Sequence, residues 1–163
     1  MSARRRSTHI PAVAVVLASA FGWGGVAAAD ISAGVITAFK GDLVVTKGEL
    51  PEGKNEKETI TKIRGDKLKE VVGEAHDDVT YWHFHYTAFL SKAGSSVLKM
   101  EFYTADKKLA ADSRLDGVDP KATVQSGDIS INEDEGLNKG KTYTVKLVND
   151  KDAVVASTTL TMK

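Results

Sequence analysis

Residues 79–90 read VTYWHFHYTAFL, and this stretch decides the fold class. Bulky apolar side chains recur at every second position, which is the period of a β-strand with one face in a protein core. The face predicted to lie in the core carries Trp82, Phe84, Tyr86, Ala88 and Leu90. The opposite face carries Tyr81, His83, His85, Thr87 and Phe89. A long strand is therefore predicted over residues 79–90.

A second alternating run, residues 97–104, follows after a short loop. Leu98, Met100 and Phe102 share one of its faces. Because a loop of four or five residues between two alternating runs commonly closes a β-hairpin, we predict that residues 79–90 and 97–104 pair directly.

Similar runs occur on both sides of this pair. Strands are predicted at residues 35–40, 43–46, 59–64, 108–111, 122–125, 128–132, 142–148 and 153–162. Residues 68–75 fit either a single helical turn or an edge strand, and the strand is favoured because its neighbours are strands. Residues 48–57, which include Pro51 and Gly53, are predicted to form a loop. Seven to nine strands with turn signals every 8–12 residues predict an all-β, antiparallel β-sandwich.

Residues 137–147, LNKGKTYTVKL, are similar to the start of strand F in fibronectin type III and related immunoglobulin-like domains. The matching positions are Leu137, Gly140, Tyr143 and Val145, while Lys139 stands where that family usually has proline. The resemblance implies an immunoglobulin-like β-sandwich in which the Tyr143 hydroxyl bonds to upstream backbone, as in a tyrosine corner. It implies no function, because this architecture hosts many unrelated ones.

The N-terminal segment has the pattern of a cleavable signal peptide. Three arginines at residues 4–6 precede an apolar run at residues 10–20, and Ala27-Ala28-Ala29 precedes Asp30. A small-residue site of this kind is cleaved by signal peptidase. The apolar run is shorter than the roughly 20 residues that a membrane span requires, and no later segment is long and apolar enough. We therefore expect a signal peptide at residues 1–29 and a single exported domain at residues 30–163, periplasmic or extracellular.

The composition argues against several classes of function. The chain has 163 residues, with 22 basic and 22 acidic side chains; without the first 29, which hold three arginines and no acid, the net charge is −3. A weakly acidic domain without a basic tail is a poor candidate for binding nucleic acid. The chain has no cysteine, and residues 30–163 contain no Gly-x-Ser-x-Gly motif, so thiol chemistry and a nucleophile elbow are both excluded. We therefore expect a protein that is not an enzyme.

The aromatic face of the predicted hairpin is the candidate interaction surface. Its residues are Tyr81, His83, His85, Phe89 and Tyr103. Exposed aromatic patches commonly mark interaction sites. The alternative is that both faces of a central strand are buried, with residues 48–75 covering the second face. The favoured hypothesis is a non-catalytic binding or structural module of the cell envelope or extracellular matrix, whose partner is a protein or an envelope or matrix component.

The histidines support an alternative function, a periplasmic Zn- or Cu-binding protein. His83 and His85 lie two residues apart, so on a strand their side chains share a face roughly 7 Å apart. His76 precedes the strand, and Glu101 lies opposite or diagonal to the pair in the predicted hairpin. Two imidazoles and a carboxylate suit Zn or Cu(II). The competing interpretation is a solvated strand face without metal, and no other cofactor is expected.

Overall fold

A computed structural model describes residues 31–163, and the predicted signal peptide lies outside them. Two helices, α1 (Ala33–Ala38) and α2 (Glu56–Asp66), occur in this part of the chain. Its nine strands are β1 (Leu43–Thr46), β2 (Glu70–Val71), β3 (Glu74–His76), β4 (Val79–Phe89), β5 (Val97–Tyr103), β6 (Leu109–Asp116), β7 (Val124–Asn132), β8 (Lys141–Asn149) and β9 (Val154–Met162). A 3-10 turn, Glu133–Glu135, follows β7. Neither helix within residues 31–163 has the length and apolarity of a membrane span.

The strands form two sheets, as predicted for an all-β fold. In the four-stranded sheet, β4 is central: β7 pairs with it on one side, and β1 and β3 pair with it on the other. The five-stranded sheet has the order β2-β9-β8-β5-β6. All pairs are antiparallel except β2 with β9.

The core lies between the two sheets and contains the face of β4 that was predicted to be buried. Trp82 and Tyr86 from β4 belong to one apolar cluster with Met100 and Phe102 of β5 and Val145 of β8. The cluster also satisfies a polar group, because the Trp82 Nε1–H donates to the main-chain oxygen of Lys163 at 3.1 Å. The prediction for the inward face of residues 79–90 is confirmed.

The predicted hairpin between residues 79–90 and 97–104 is wrong. β4 lies in the four-stranded sheet, whereas β5 pairs with β6 and β8 in the five-stranded sheet. The connecting loop therefore crosses from one sheet to the other. Its backbone is held by the segment before β7, since the Leu90 N–H donates to the Thr123 carbonyl and the Ala93 N–H to the Ala122 carbonyl. Both Leu90 and Ala93 are buried, so the loop packs across the end of the core.

Two predicted strands, residues 35–40 and 59–64, are helical instead. Side chains of Ser32 and Asn55 cap the helices by accepting hydrogen bonds from the third residue of each. Each helix turns its apolar residues to one side, as the packing of Val35, Phe39 and Ile63 into one cluster demonstrates. The favoured interpretation of residues 68–75 is confirmed, since β2 and β3 lie there.

The bond implied for Tyr143 is present. The Asn138 backbone N–H donates to the Tyr143 hydroxyl at 2.8 Å, and both Leu137 and Tyr143 are buried. Gly140 between them has φ of +79°, a conformation that glycine adopts without steric cost. The loop before β8 is thereby fixed to the strand that follows it.

Glu133 ties the start of β4 to the end of β7. Its Oε2 accepts a hydrogen bond from the Thr80 backbone N–H at 2.9 Å, which holds the pKa of Glu133 below its ordinary value of 4.5. A lowered carboxyl pKa stabilises the fold above the ordinary value, and this contribution is lost as the pH falls through the lowered one. We expect wild type to lose more free energy of unfolding than Glu133→Gln between about pH 5 and about pH 3. The measurement is urea denaturation at each pH.

The matched control is the adjacent, exposed Asp134. Asp134→Asn removes the same charge without removing the bond to Thr80. Equal acid sensitivity in Glu133→Gln and wild type would contradict the assignment.

Candidate functional site

A helical layer covers part of the outer face of the four-stranded sheet. Val35 of α1, its C-cap residue Phe39 and Ile63 of α2 pack with Phe89 of β4 and Val124 of β7 in a second apolar cluster. The rings of Phe39 and Phe89 lie 5.2 Å apart between centroids, and Phe89 is 0% exposed. The alternative in which residues 48–75 cover this face is therefore correct at the Phe89 end, and α1 covers it as well.

A cleft of about 450 Å³ opens between this helical layer and the sheet, and we call it the outer cleft. Its apolar lining consists of Ile31, Val35, Leu50, Pro51, Ile63 and Val124. Its polar floor, on β4 and β7, consists of His85, Thr87 and Ser126. Glu49, Glu52 and Glu56 also line it, and all three are exposed. The outer cleft therefore combines apolar walls, a polar floor and an acidic rim.

The floor is held in place by strand pairing. His85 lies opposite Asp128, and Thr87 lies opposite Ser126, in the register of β4 and β7. His85 is 7% exposed, and its Nδ1 lies 2.9 Å from Asp128 Oδ1. An ionised carboxylate can only accept a hydrogen bond, so Nδ1 carries the proton and the Nε2 of a neutral imidazole is an acceptor. The pair thus fixes both the orientation and the tautomer of the ring.

The rim depends on the loop before α2 and on its first residue. Glu56 follows the N-cap Asn55, and its carboxylate lies against Gly34 of α1. A methyl group at position 34 would overlap that carboxylate, so glycine leaves the space that Glu56 uses. No lysine or arginine is among the described side chains that line the outer cleft. The described lining is therefore acidic.

The five residues predicted as one interaction surface are separated. Tyr81 and His83 remain together on the outer face of β4, with stacked rings 6.4 Å apart. His85 and Phe89 are buried beneath the helical layer and the cleft. Tyr103 lies on the five-stranded sheet, where its hydroxyl donates to Glu101 Oε2 at 2.7 Å. The prediction fails for Tyr103 because it assumed that β4 and β5 are neighbours. It fails for His85 and Phe89 because this end of β4 is covered.

The residues predicted as metal ligands are separated in the same way. His83 and His85 share the outer face of β4, and His76 lies at the end of β3 opposite Val79. Glu101 belongs to the other sheet, so its predicted position beside the histidines is wrong. The carboxylate beside His85 is Asp128 instead. Within residues 31–163, no group of three or more His, Asp or Glu side chains converges on one point where a metal ion could bind.

Sequence reasoning missed the acidic rim and Asp128. The capping residue Asn55, followed three positions later by Glu58, is the signal that could have identified α2 and hence the wall of the cleft. The pairing of β4 with β7 left no comparable signal, because these strands lie far apart in the chain.

Comparison of the sequence with protein-family models and with curated proteins finds no match.

Proposed function

We propose that the protein is an exported, non-catalytic binding module of the cell envelope or extracellular matrix, and that its ligand occupies the outer cleft. The observation that carries this proposal is the cleft itself, about 450 Å³ in volume. Ligand sites in proteins are typically concave and largely apolar, with a few fixed polar groups. The apolar walls and the floor formed by His85, Thr87 and Ser126 match that description.

The arrangement around His85 supports the cleft floor as a contact surface. His85 lines the cleft, and the hydrogen bond between its ring and Asp128 fixes the orientation of the imidazole. The pair therefore presents an oriented polar ring in the floor of the cleft.

We further propose that the two sheets form an immunoglobulin-like sandwich. In that fold, strands A, B and E share one sheet, and strands C, F and G share the other. The pairing of β1, β4 and β7 corresponds to A, B and E, while β5, β8 and β9 correspond to C, F and G. The hydrogen bond of Tyr143 supports the same assignment. The helical layer is then an addition to the A-B-E sheet.

The binding proposal is tested with Nile red, a neutral apolar dye that fluoresces on entering an apolar site. Ser126 lies in the cleft floor. Ser130 lies four residues further along β7, on the same face of the strand but outside the cleft. Ser126→Trp is expected to fill the floor and weaken dye binding by about tenfold or more, the effect of losing 1.4 kcal/mol. Ser130→Trp is the matched control and should bind like wild type. Equal binding by both variants, or no binding by wild type, would overturn the proposal.

Zinc or copper binding is the second candidate function, and the His85–Asp128 pair favours it. A carboxylate commonly orients an imidazole that ligates metal through its other nitrogen. His83 is the second imidazole on the same face. Sub-micromolar Zn or Cu binding that disappears in the His83→Ala/His85→Ala double variant would support this function. No binding by wild type would end it.

A further inference from the structure

We infer that the ligand of the outer cleft is a primary amine with an apolar body, an inference that rests on the proposed function of that cleft. The ammonium group lies against the rim formed by Glu49, Glu52 and Glu56, and the apolar body extends along the walls. The juxtaposition of an acidic rim, apolar walls and a polar floor carries the inference.

The rim sets the sign of the ligand's charge. Three carboxylates line the cleft without a described lysine or arginine among them. The nearby Lys62 Nζ lies beside the rim, 2.8 Å from the main-chain oxygen of Glu52, but its ion pair is with Glu58 Oε1 at 3.3 Å and not with a rim carboxylate. Several negative charges beside an apolar cleft raise the local concentration of cations in that cleft. A cationic head group is therefore favoured and an anionic one is opposed.

The floor provides an independent observation. Thr87 is 1% exposed, lines the cleft and has no hydrogen bond from its hydroxyl to another described residue. Within residues 31–163 no buried side-chain nitrogen or oxygen lacks a hydrogen-bond partner, so this hydroxyl is open to the cleft rather than sealed inside the protein. It can therefore accept a hydrogen bond from an N–H or O–H group of a ligand that reaches the floor. The rim sets the charge of the ligand, and the floor adds an accessible acceptor beside the apolar walls.

A primary amine fits better than a quaternary one. Quaternary ammonium groups are typically held by aromatic rings, and no described phenylalanine, tyrosine or tryptophan lines the cleft. Carboxylates instead favour cations that donate hydrogen bonds. The recognised group is therefore an ammonium with N–H donors.

Four probes with one alkyl chain isolate the head group: octylammonium, 1-octanol, octanoate and octyltrimethylammonium. Isothermal titration of the exported protein is expected to rank octylammonium first, with 1-octanol about tenfold weaker and octanoate weakest. Octyltrimethylammonium should bind more weakly than octylammonium. If 1-octanol and octanoate bind as tightly as octylammonium, the amine inference is overturned while cleft binding stands. If none of the probes binds, the proposed function falls as well.

Two variants locate the ammonium. Glu56→Gln is expected to weaken octylammonium binding by up to about fivefold, the upper end for one exposed charge pair, and to leave 1-octanol binding unchanged. Glu74→Gln is the matched control, because Glu74 is exposed on β3 and outside the cleft. Equal losses in both variants would overturn the position assigned to the ammonium.

Gly34→Ala tests the same contact without changing any charge. The added methyl group displaces the Glu56 carboxylate, the far end of a flexible side chain. Alanine also has a higher helix propensity than glycine, so the thermal midpoint should not fall. Weaker octylammonium binding with unchanged 1-octanol binding is expected. Unchanged binding of both probes would place the ammonium elsewhere.

Discussion

Replacement of Phe89 by alanine is expected to lower the free energy of unfolding by about 3–5 kcal/mol, as for other buried aromatic side chains. Phe89 is 0% exposed and packs on Phe39, the C-cap residue of α1, and on Val124 of β7. Its removal leaves a cavity between the helical layer and the four-stranded sheet, since neither backbone can collapse fully into the space. Urea denaturation followed by far-UV circular dichroism gives the change directly.

Tyr81→Ala is the control for this prediction. Tyr81 lies on the same face of β4 but at the end that the helices leave open, and it is half-buried. Its loss should cost about 1 kcal/mol, the centre of the distribution for single substitutions. Similar small losses at both positions would mean that the helical layer does not cover the Phe89 end of the sheet.

Tyr143→Phe is expected to lower the free energy of unfolding by about 1–2 kcal/mol, because it removes the acceptor for the Asn138 N–H. The ring is retained, including its edge contact with Phe102 at 6.5 Å between centroids, so the loss reports the hydroxyl. The effect tests the bond that ties the preceding loop to β8. Urea denaturation of wild type and Tyr143→Phe measures this difference in the free energy of unfolding.

Tyr103→Phe provides the comparison, since its hydroxyl also makes one hydrogen bond, to Glu101 on the outer face of the five-stranded sheet. That bond lies at a half-buried surface position, where substitutions usually change stability by no more than about 0.5 kcal/mol. If Tyr143→Phe lowers the free energy of unfolding as little as Tyr103→Phe does, the hydrogen bond between Asn138 and Tyr143 contributes little to stability.

The long strands could be predicted from the sequence because their signal is local. Residues 79–90 alternate clearly, and Leu137, Gly140 and Tyr143 indicated the loop before β8. The helices were missed because short runs such as 35–40 fit either period. Residues Ser32 and Asn55, which cap the helices, carried the better signal. Strand pairing was the harder problem, since a seven-residue link such as 90–96 can join neighbours in one sheet or cross between sheets.

The site was predictable only in part for the same reason. The sequence identified His85 and its place on the outer face of β4, but the pairing with β7 decided that Asp128, rather than Glu101, lies beside it. The cleft requires the helical layer above that face. A prediction with strands at residues 35–40 and 59–64 contains no such layer, and hence no cleft.

The most direct test of the central claim, that the outer cleft is the ligand site, is an NMR titration of the ¹⁵N-labelled protein with octylammonium. The largest amide shift changes are expected at Val35, Thr59, Thr87 and Ser126, which line the cleft. Changes concentrated at Tyr81 and His83, or at Tyr103 on the five-stranded sheet, would contradict it.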